Sequence, residues 1–166
     1  MILKESDFKT GHLQISQNDY SDLESFISES TENSYLKKIL GTTLGADLIS
    51  DLSGDPSTPT STKWINIFNS FDVDFNGFSE PCAGIREILK GLIYRDFVSQ
   101  QSIINQTAGN KSIRIEASDN EDIIKKSSVY YNRSVREIDL LMFYIFKDPV
   151  NYPNPKPSYF YLESAI

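Results

Sequence analysis

Apolar residues recur at helical spacing along most of the chain and at two-residue spacing in one short stretch. From Asn18 or Asp19, either able to cap a first turn, Tyr20, Leu23, Phe26 and Ile27 are followed by Tyr35, Leu36, Ile39 and Leu40. The step from Ile27 to Tyr35 keeps helical phase across the polar run "SESTENS", so the spacing predicts one helix with a weak centre. Gly41 is placed to end it, and Thr42 or Thr43 to cap the next, where Leu44, Leu48 and Leu52 form an i, i+4, i+8 stripe. Residues 53–62, "SGDPSTPTST", read as a turn-rich linker. A short helix with Trp64, Ile65 and Phe68 follows.

A second long helix is predicted from Pro81, with Ile85, Ile88, Leu89, Leu92, Ile93 and Phe97 on its apolar face. The run "NQTAGNK" breaks it, and Ile113 and Ile115 then alternate with Arg114 and Glu116, the pattern of a short strand or hairpin arm. A last long helix, about residues 119–147, presents Ile123, Ile124, Tyr131, Val135, Ile138, Leu141 and Ile145. The prolines of "YPNPKP" end its regularity. The expected architecture is mainly α, a helical bundle of three long and two short helices. It carries a small β-hairpin-like projection near residues 105–118 and extended N- and C-terminal arms. Residues 1–18 are the N-terminal arm, with Ile2, Leu3, Phe8, Leu13 and Ile15 as anchors, 19–147 the helical domain, and 148–166 a tail rich in proline and aromatics.

Charge narrows the partners. With 23 acidic against 16 basic residues the net charge is -7 over 166 residues, so the basic footprint of a nucleic-acid clamp is missing and the surface repels phosphates. A single cysteine, Cys82, excludes an internal disulfide framework and a cysteine-rich zinc site. The start "MILKESDFKTGH" does not have the form of a signal peptide, and no apolar run approaches the roughly 20 residues that span a bilayer. A soluble chain made in the cytoplasm, without membrane contact, is expected.

The chemical candidates are few. "DVDFNGFSEP" opens like an EF-hand loop, with Asp72, Asp74 and Asn76 at positions 1, 3 and 5 and Gly77 at position 6. Position 12, which needs a bidentate Glu, is Ala83, and position 10 is Pro81. The stretch reads more simply as a connector: Asn76-Gly77 turns, and Ser79 caps the helix that begins at Glu80 and Pro81. His12 is the only histidine and lies in the arm, which leaves a His-based triad without support. Cys82 would sit in a first helical turn, where the dipole lowers a thiol pKa, with no base recognisable beside it. Asp47/Asp51 and Glu121/Asp122 read as solvated helix faces. Gly41 and Gly45 lack a P-loop Lys-Ser/Thr and suit helix ends or close packing. No catalytic, cofactor-binding or metal-ligating residues are expected, and no enzyme.

The order of several segments resembles the head–tail connector, or adaptor, proteins of tailed bacteriophages, particularly of crAss-like phages. The segments are "NSYLKKILGTTLGADLISDL" (residues 33–52), "TKWINIF" (62–68), "GIREILKGLIYRDFVSQQ" (84–101) and a final "SSVYYNRSVREIDLLMFYI". The resemblance spans roughly residues 19–147 and rests on packing patterns in sequence order. It implies a structural virion protein at the head–tail junction, in a ring of typically twelve copies below the portal. Such a ring extends the channel for double-stranded DNA and receives the next neck or tail component. The interface residues it leads one to expect are Tyr130 and Leu140 on flanks of the last helix, Ile113 and Ile115 in the projection, and Tyr152, Tyr159, Phe160 and Tyr161 in the tail. Two other readings stand beside it: a helical interaction module without ring assembly, and a calcium-dependent regulator or hydrolase using Asp72, Asp74 and Asn76.

Overall fold

Ser28 divides the first predicted helix in two. Its backbone is extended (φ -127°, ψ 156°) and its hydroxyl accepts the Thr31 N–H at 3.2 Å, so it caps a new helix instead of continuing the old one. The result is α1, Tyr20–Phe26, followed by α2, Glu29–Leu40. A computed structural model describes residues 1–9, 13, 15, 20–107 and 120–155, with side chains described for these except residues 20, 21 and 101–126. The expected interface residues Ile113, Ile115, Tyr159, Phe160 and Tyr161, and also His12, lie outside the described residues.

Gly41 links α2 to α3, Thr42–Asp51, at a backbone angle (φ 82°) that favours glycine. The two helices cross closely at Gly45, where a β-carbon would come within 2.8 Å of the Lys37 α-carbon. Strands β1, Leu52–Ser53, and β2, Thr58–Pro59, then form a two-stranded antiparallel ribbon. Asp51 fastens this ribbon to the next helix: its carboxylate accepts the N–H groups of Thr60 and Ser61, each at 2.9 Å, and their hydroxyls at 2.8 and 3.0 Å. That helix, α4, Thr62–Phe68, buries Trp64, Ile67 and Phe68.

The N-terminal residues belong to the core instead of forming a free arm. Ile2, Leu3, Phe8, Leu13 and Ile15 are all buried, and burying each such side chain stabilises by about 1.5–3 kcal/mol. The carboxylate of Glu32, itself buried, accepts the N–H groups of Ile2 and Leu3 at 2.8 Å each. A 3-10 turn, Glu5–Phe8, follows, and its Asp7 accepts the Lys4 N–H and pairs with Arg86 at 2.7 Å.

The sequence pattern places a helix start at Pro81 and a cap at Ser79; both residues are in a strand. β3, Phe71–Phe75, pairs antiparallel with β4, Phe78–Cys82, in the register Phe71↔Cys82, Val73↔Glu80 and Phe75↔Phe78. Asn76 (φ 52°) and Gly77 (φ 98°) make the two-residue turn, the geometry that matches the strand twist. The helix begins only at Gly84, whose φ of 84° and approach to the Asn69 carbonyl leave no room for a side chain. This helix, α5, runs Gly84–Thr107, and α6 runs Asn120–Lys147. Of the projection expected near 105–118, residues 105–107 end α5 and 108–118 lie outside the described residues.

The fold is mainly α, as expected, with six α-helices and two small antiparallel sheets among the described residues. Helices α5 and α6 form the most extensive helix pair, burying Leu89, Leu92 and Ile93 on one side and Ile138, Leu141 and Ile145 on the other. After α6 the chain doubles back. Tyr152 packs edge-on against Trp64 (5.4 Å between centroids) and Tyr144 (6.4 Å), and its hydroxyl donates to the Lys63 carbonyl. Tyr152 is therefore a core residue and not free surface, because both its ring and its hydroxyl find partners within the chain. Leu140, also expected at an interface, is buried in the same core.

Candidate functional site

The hairpin lies across α6 and brings together the aromatic residues that the core does not absorb. Residues directly opposite in an antiparallel pair share a face, so Phe71, Val73 and Phe75 look the same way as Cys82, Glu80 and Phe78. At the base this face is sealed: Val73 and Cys82 are buried, and Phe71 packs edge-on against Tyr144 at 4.9 Å. Towards the tip it opens. Phe75 stacks on Phe143 at 4.3 Å, while its cross-strand partner Phe78 is 78 % exposed. Phe146, one helical turn beyond Phe143, is 53 % exposed, and Phe143 itself 36 %.

Polar contacts hold the hairpin in this position. Arg136 pairs with Glu80, the Lys147 ammonium donates to the Asp74 carbonyl, and the Glu137 carboxylate accepts the Ala83 N–H at 2.7 Å. Lys147 also lies over the Phe143 ring at 4.7 Å, a cation–π contact at the edge of the aromatic surface. The outcome is a fixed tip with Phe78, Phe143 and Phe146 presented to solvent. Large exposed apolar patches with a polar rim are the common mark of an interaction surface.

The other sites raised by the sequence resolve into structural roles. Asp72 and Asp74 lie on an extended strand, on the face opposite Phe75, and Gly77 N–H occupies one oxygen of Asp74 at 2.9 Å. A strand spreads alternate residues along a line, whereas an EF-hand loop must wrap them around the ion. Among the described residues no group of three or more His, Cys, Asp or Glu is placed to hold a metal. Cys82 ends β4 instead of starting a helix, and burial pushes its thiol up to about 12, where a helix dipole would have lowered it. Asp47 pairs with Lys63, and Asp51 is occupied by its four donors. A cleft between α5 and α6, lined by Tyr130, Arg133, Ser134 and Glu137 among others, holds about 50 Å³. That suits ordered water, at about 30 Å³ per molecule, better than a ligand pocket of about 300 Å³ or more.

Tyr130, the remaining expected interface residue, is half-buried and meets Tyr94 edge-on at 6.0 Å. Its neighbour Tyr131 lies under Arg95 at 4.8 Å. Arg95 also donates to Asp96, which accepts the Tyr35 hydroxyl, so one polar network joins α2, α5 and α6. Burial, then the Asp96 charge, raises the Tyr35 pKa and keeps it a donor. Of the eight residues expected at an interface, the structure thus leaves only Tyr130 partly exposed within the described region. The aromatic surface it does present, Phe75, Phe78, Phe143 and Phe146, is not among the residues the sequence singles out. Its signal was Asn76-Gly77 between two phenylalanines, the pattern of a hairpin turn.

No described helix is long and apolar enough to cross a membrane. No protein-family model, curated protein or solved structure matches the chain.

Proposed function

We propose that this chain is a structural protein that assembles with copies of itself into a closed ring, the head–tail connector of a tailed phage. The self-assembly reading is carried by one observation: Phe78, Phe143 and Phe146 form an aromatic surface, held rigidly by the hairpin, that the chain's own core leaves uncovered. A ring needs two different surfaces per copy and a rotation that closes. Association is the whole of the chemistry in this reading; no reaction is performed.

The neck position is supported by the order of the helices. Two helices joined through Gly41, the short "TKWINIF" helix, the long helix with "GLIYRDF" and a last long helix succeed one another, which is the order on which the resemblance to adaptor proteins rests. Partners are then the portal above, the next neck or tail component below and double-stranded DNA in the lumen. Net charge of -7 suits such a conduit, since carboxylates repel phosphates and let DNA slide, where clustered lysines would hold it by counterion release.

The test is mass and shape. The purified chain, alone and with portal rings from the same genome, is measured by light scattering and imaged as single particles. Rings with a central opening are expected, free or seated on the portal. A chain that stays in single copies under both conditions overturns the reading and favours a helical interaction module.

A further inference from the structure

We propose that residues 156–166 of one copy dock on the aromatic surface of a neighbouring copy, with Tyr159, Phe160 and Tyr161 against Phe78 and Phe146. This rests on the self-assembly reading and names the two surfaces that meet.

The surface and the segment complement each other in composition. The patch offers Phe78 and Phe146 to solvent beside the ammonium of Lys147. The segment carries Tyr159, Phe160, Tyr161 and Leu162 in succession, and then Glu163. Aromatic pairs add about 0.5–1.5 kcal/mol each beyond the area they bury, and Glu163 brings a charge opposite to that of Lys147. Docking would cover both sets of rings at once.

The path of the chain favours a neighbour over the copy's own patch. Tyr152 is fixed against Trp64 and Tyr144, and Tyr144 meets Phe71 at the base of the hairpin. The patch is at the other end, by Phe75 and Phe78. The strand from Phe71 to Phe75 separates the two by about 13 Å, at roughly 3.3 Å per residue. Eleven residues, 156 to 166, reach about 36 Å when extended, enough to bridge to an adjacent subunit. Because patch and segment are different surfaces, the contact passes from copy to copy in one direction, which is what a ring requires.

The experiment replaces Phe78, an exposed side chain, with the photoreactive p-benzoylphenylalanine in an unlabelled full-length chain. That chain is mixed dilute with uniformly 15N-labelled wild type, concentrated and irradiated, and cross-linked peptides are read by mass spectrometry. Cross-links from unlabelled position 78 to labelled residues 156–166 are expected. Substituting Tyr159→Ser, Phe160→Ser and Tyr161→Ser together in the labelled chain should cut their yield at least tenfold. Cross-links confined to the same chain's segment, cross-links elsewhere, or a yield unmoved by the triple substitution overturn the proposal. Light scattering on the same mixture separates the two readings: rings without the cross-link overturn only the docking, and single copies overturn self-assembly with it.

Discussion

Gly45 of α3 sits directly over the backbone of Lys37 in α2, so close that a β-carbon would come within 2.8 Å of the Lys37 α-carbon and 3.0 Å of the Leu36 carbonyl oxygen. Helix propensity alone favours Gly45→Ala by about 1 kcal/mol. The clash is with backbone atoms, which cannot rotate away, and overpacking of this kind costs about 1–3 kcal/mol. Gly45→Ala is therefore expected to lower the melting temperature, followed by circular dichroism. Gly91→Ala is the comparison: its β-carbon meets the Ser134 hydroxyl oxygen, a side-chain atom that can turn aside, so the loss is expected to be smaller. Equal or higher melting temperature for Gly45→Ala would refute the close crossing.

Glu32 holds the N-terminal residues through two buried backbone N–H groups. Glu32→Ala leaves both donors unpaired, at about 1–3 kcal/mol for each buried group. The amides of Ile2 and Leu3 should then exchange with deuterium far faster than in the wild type. Burial raises the Glu32 pKa above 4.5 despite the two donors. The folded state thus holds the proton more tightly than the unfolded one, and stability from this group is fullest below about pH 4.5 and declines as pH rises through the folded value. In urea titrations the cost of Glu32→Gln should be larger at pH 4.5 than at pH 7.

Asp51 has the opposite sign. Hydrogen bonds, first from the Ser61 N–H, hold its carboxyl below 3.8, so its contribution is present at neutral pH and is lost as pH falls through the folded value. Asp51→Asn should destabilise at pH 7, with the difference closing in acid. A gap that stays constant between pH 7 and pH 3 would mean that the carboxylate does not fasten β2 to α4.

Cys82 should be inert in the folded protein. Its thiol is buried and pushed up to about 12, and it is the thiolate that reacts. Labelling with a disulfide reagent at pH 8 is expected to proceed at the rate of global unfolding and to become immediate in 6 M guanidinium. Rapid labelling of the native chain would show that the base of the hairpin opens.

Phe78 separates folding from association. At 78 % exposure its replacement should change unfolding free energy by less than about 0.5 kcal/mol, the usual range for surface substitutions. Phe78→Ser together with Phe146→Ser should nonetheless shift the chain towards single copies in sedimentation velocity.

Helix periodicity made most of the α elements legible: the stripes Leu44–Leu48, Ile85–Leu92 and Ile138–Ile145 are buried as their spacing implied. Two boundaries were hidden by competing local signals. Ile27 and Tyr35 stay in helical phase, so nothing in the apolar pattern showed that Ser28 would start a new helix. Asp72, Asp74 and Asn76 imitate ion ligands, and that likeness masked the alternation of Phe71, Val73 and Phe75, which was the strand. The aromatic surface was illegible for a different reason. Phe143 and Phe146 become a patch only when the hairpin from 60 residues earlier is laid across α6, a juxtaposition no local window contains. Ile2 and Leu3 were read as anchors without a destination, because the receiving carboxylate, Glu32, sits in a run that looks uniformly polar.

Pro81 sets how a neighbour can approach. In a hairpin with a two-residue turn, Phe75 and Phe78 exchange both backbone bonds, and so do Val73 with Glu80 and Phe71 with Cys82. The intervening Ser79 and Pro81 therefore direct their backbones outward from β4, and Pro81 has no N–H to offer. An incoming extended peptide would find a single donor along that margin, too few to lengthen the ribbon by another strand. Copies of this molecule are thus steered away from open-ended stacking through their main chains, and must recognise one another by the side chains the hairpin displays.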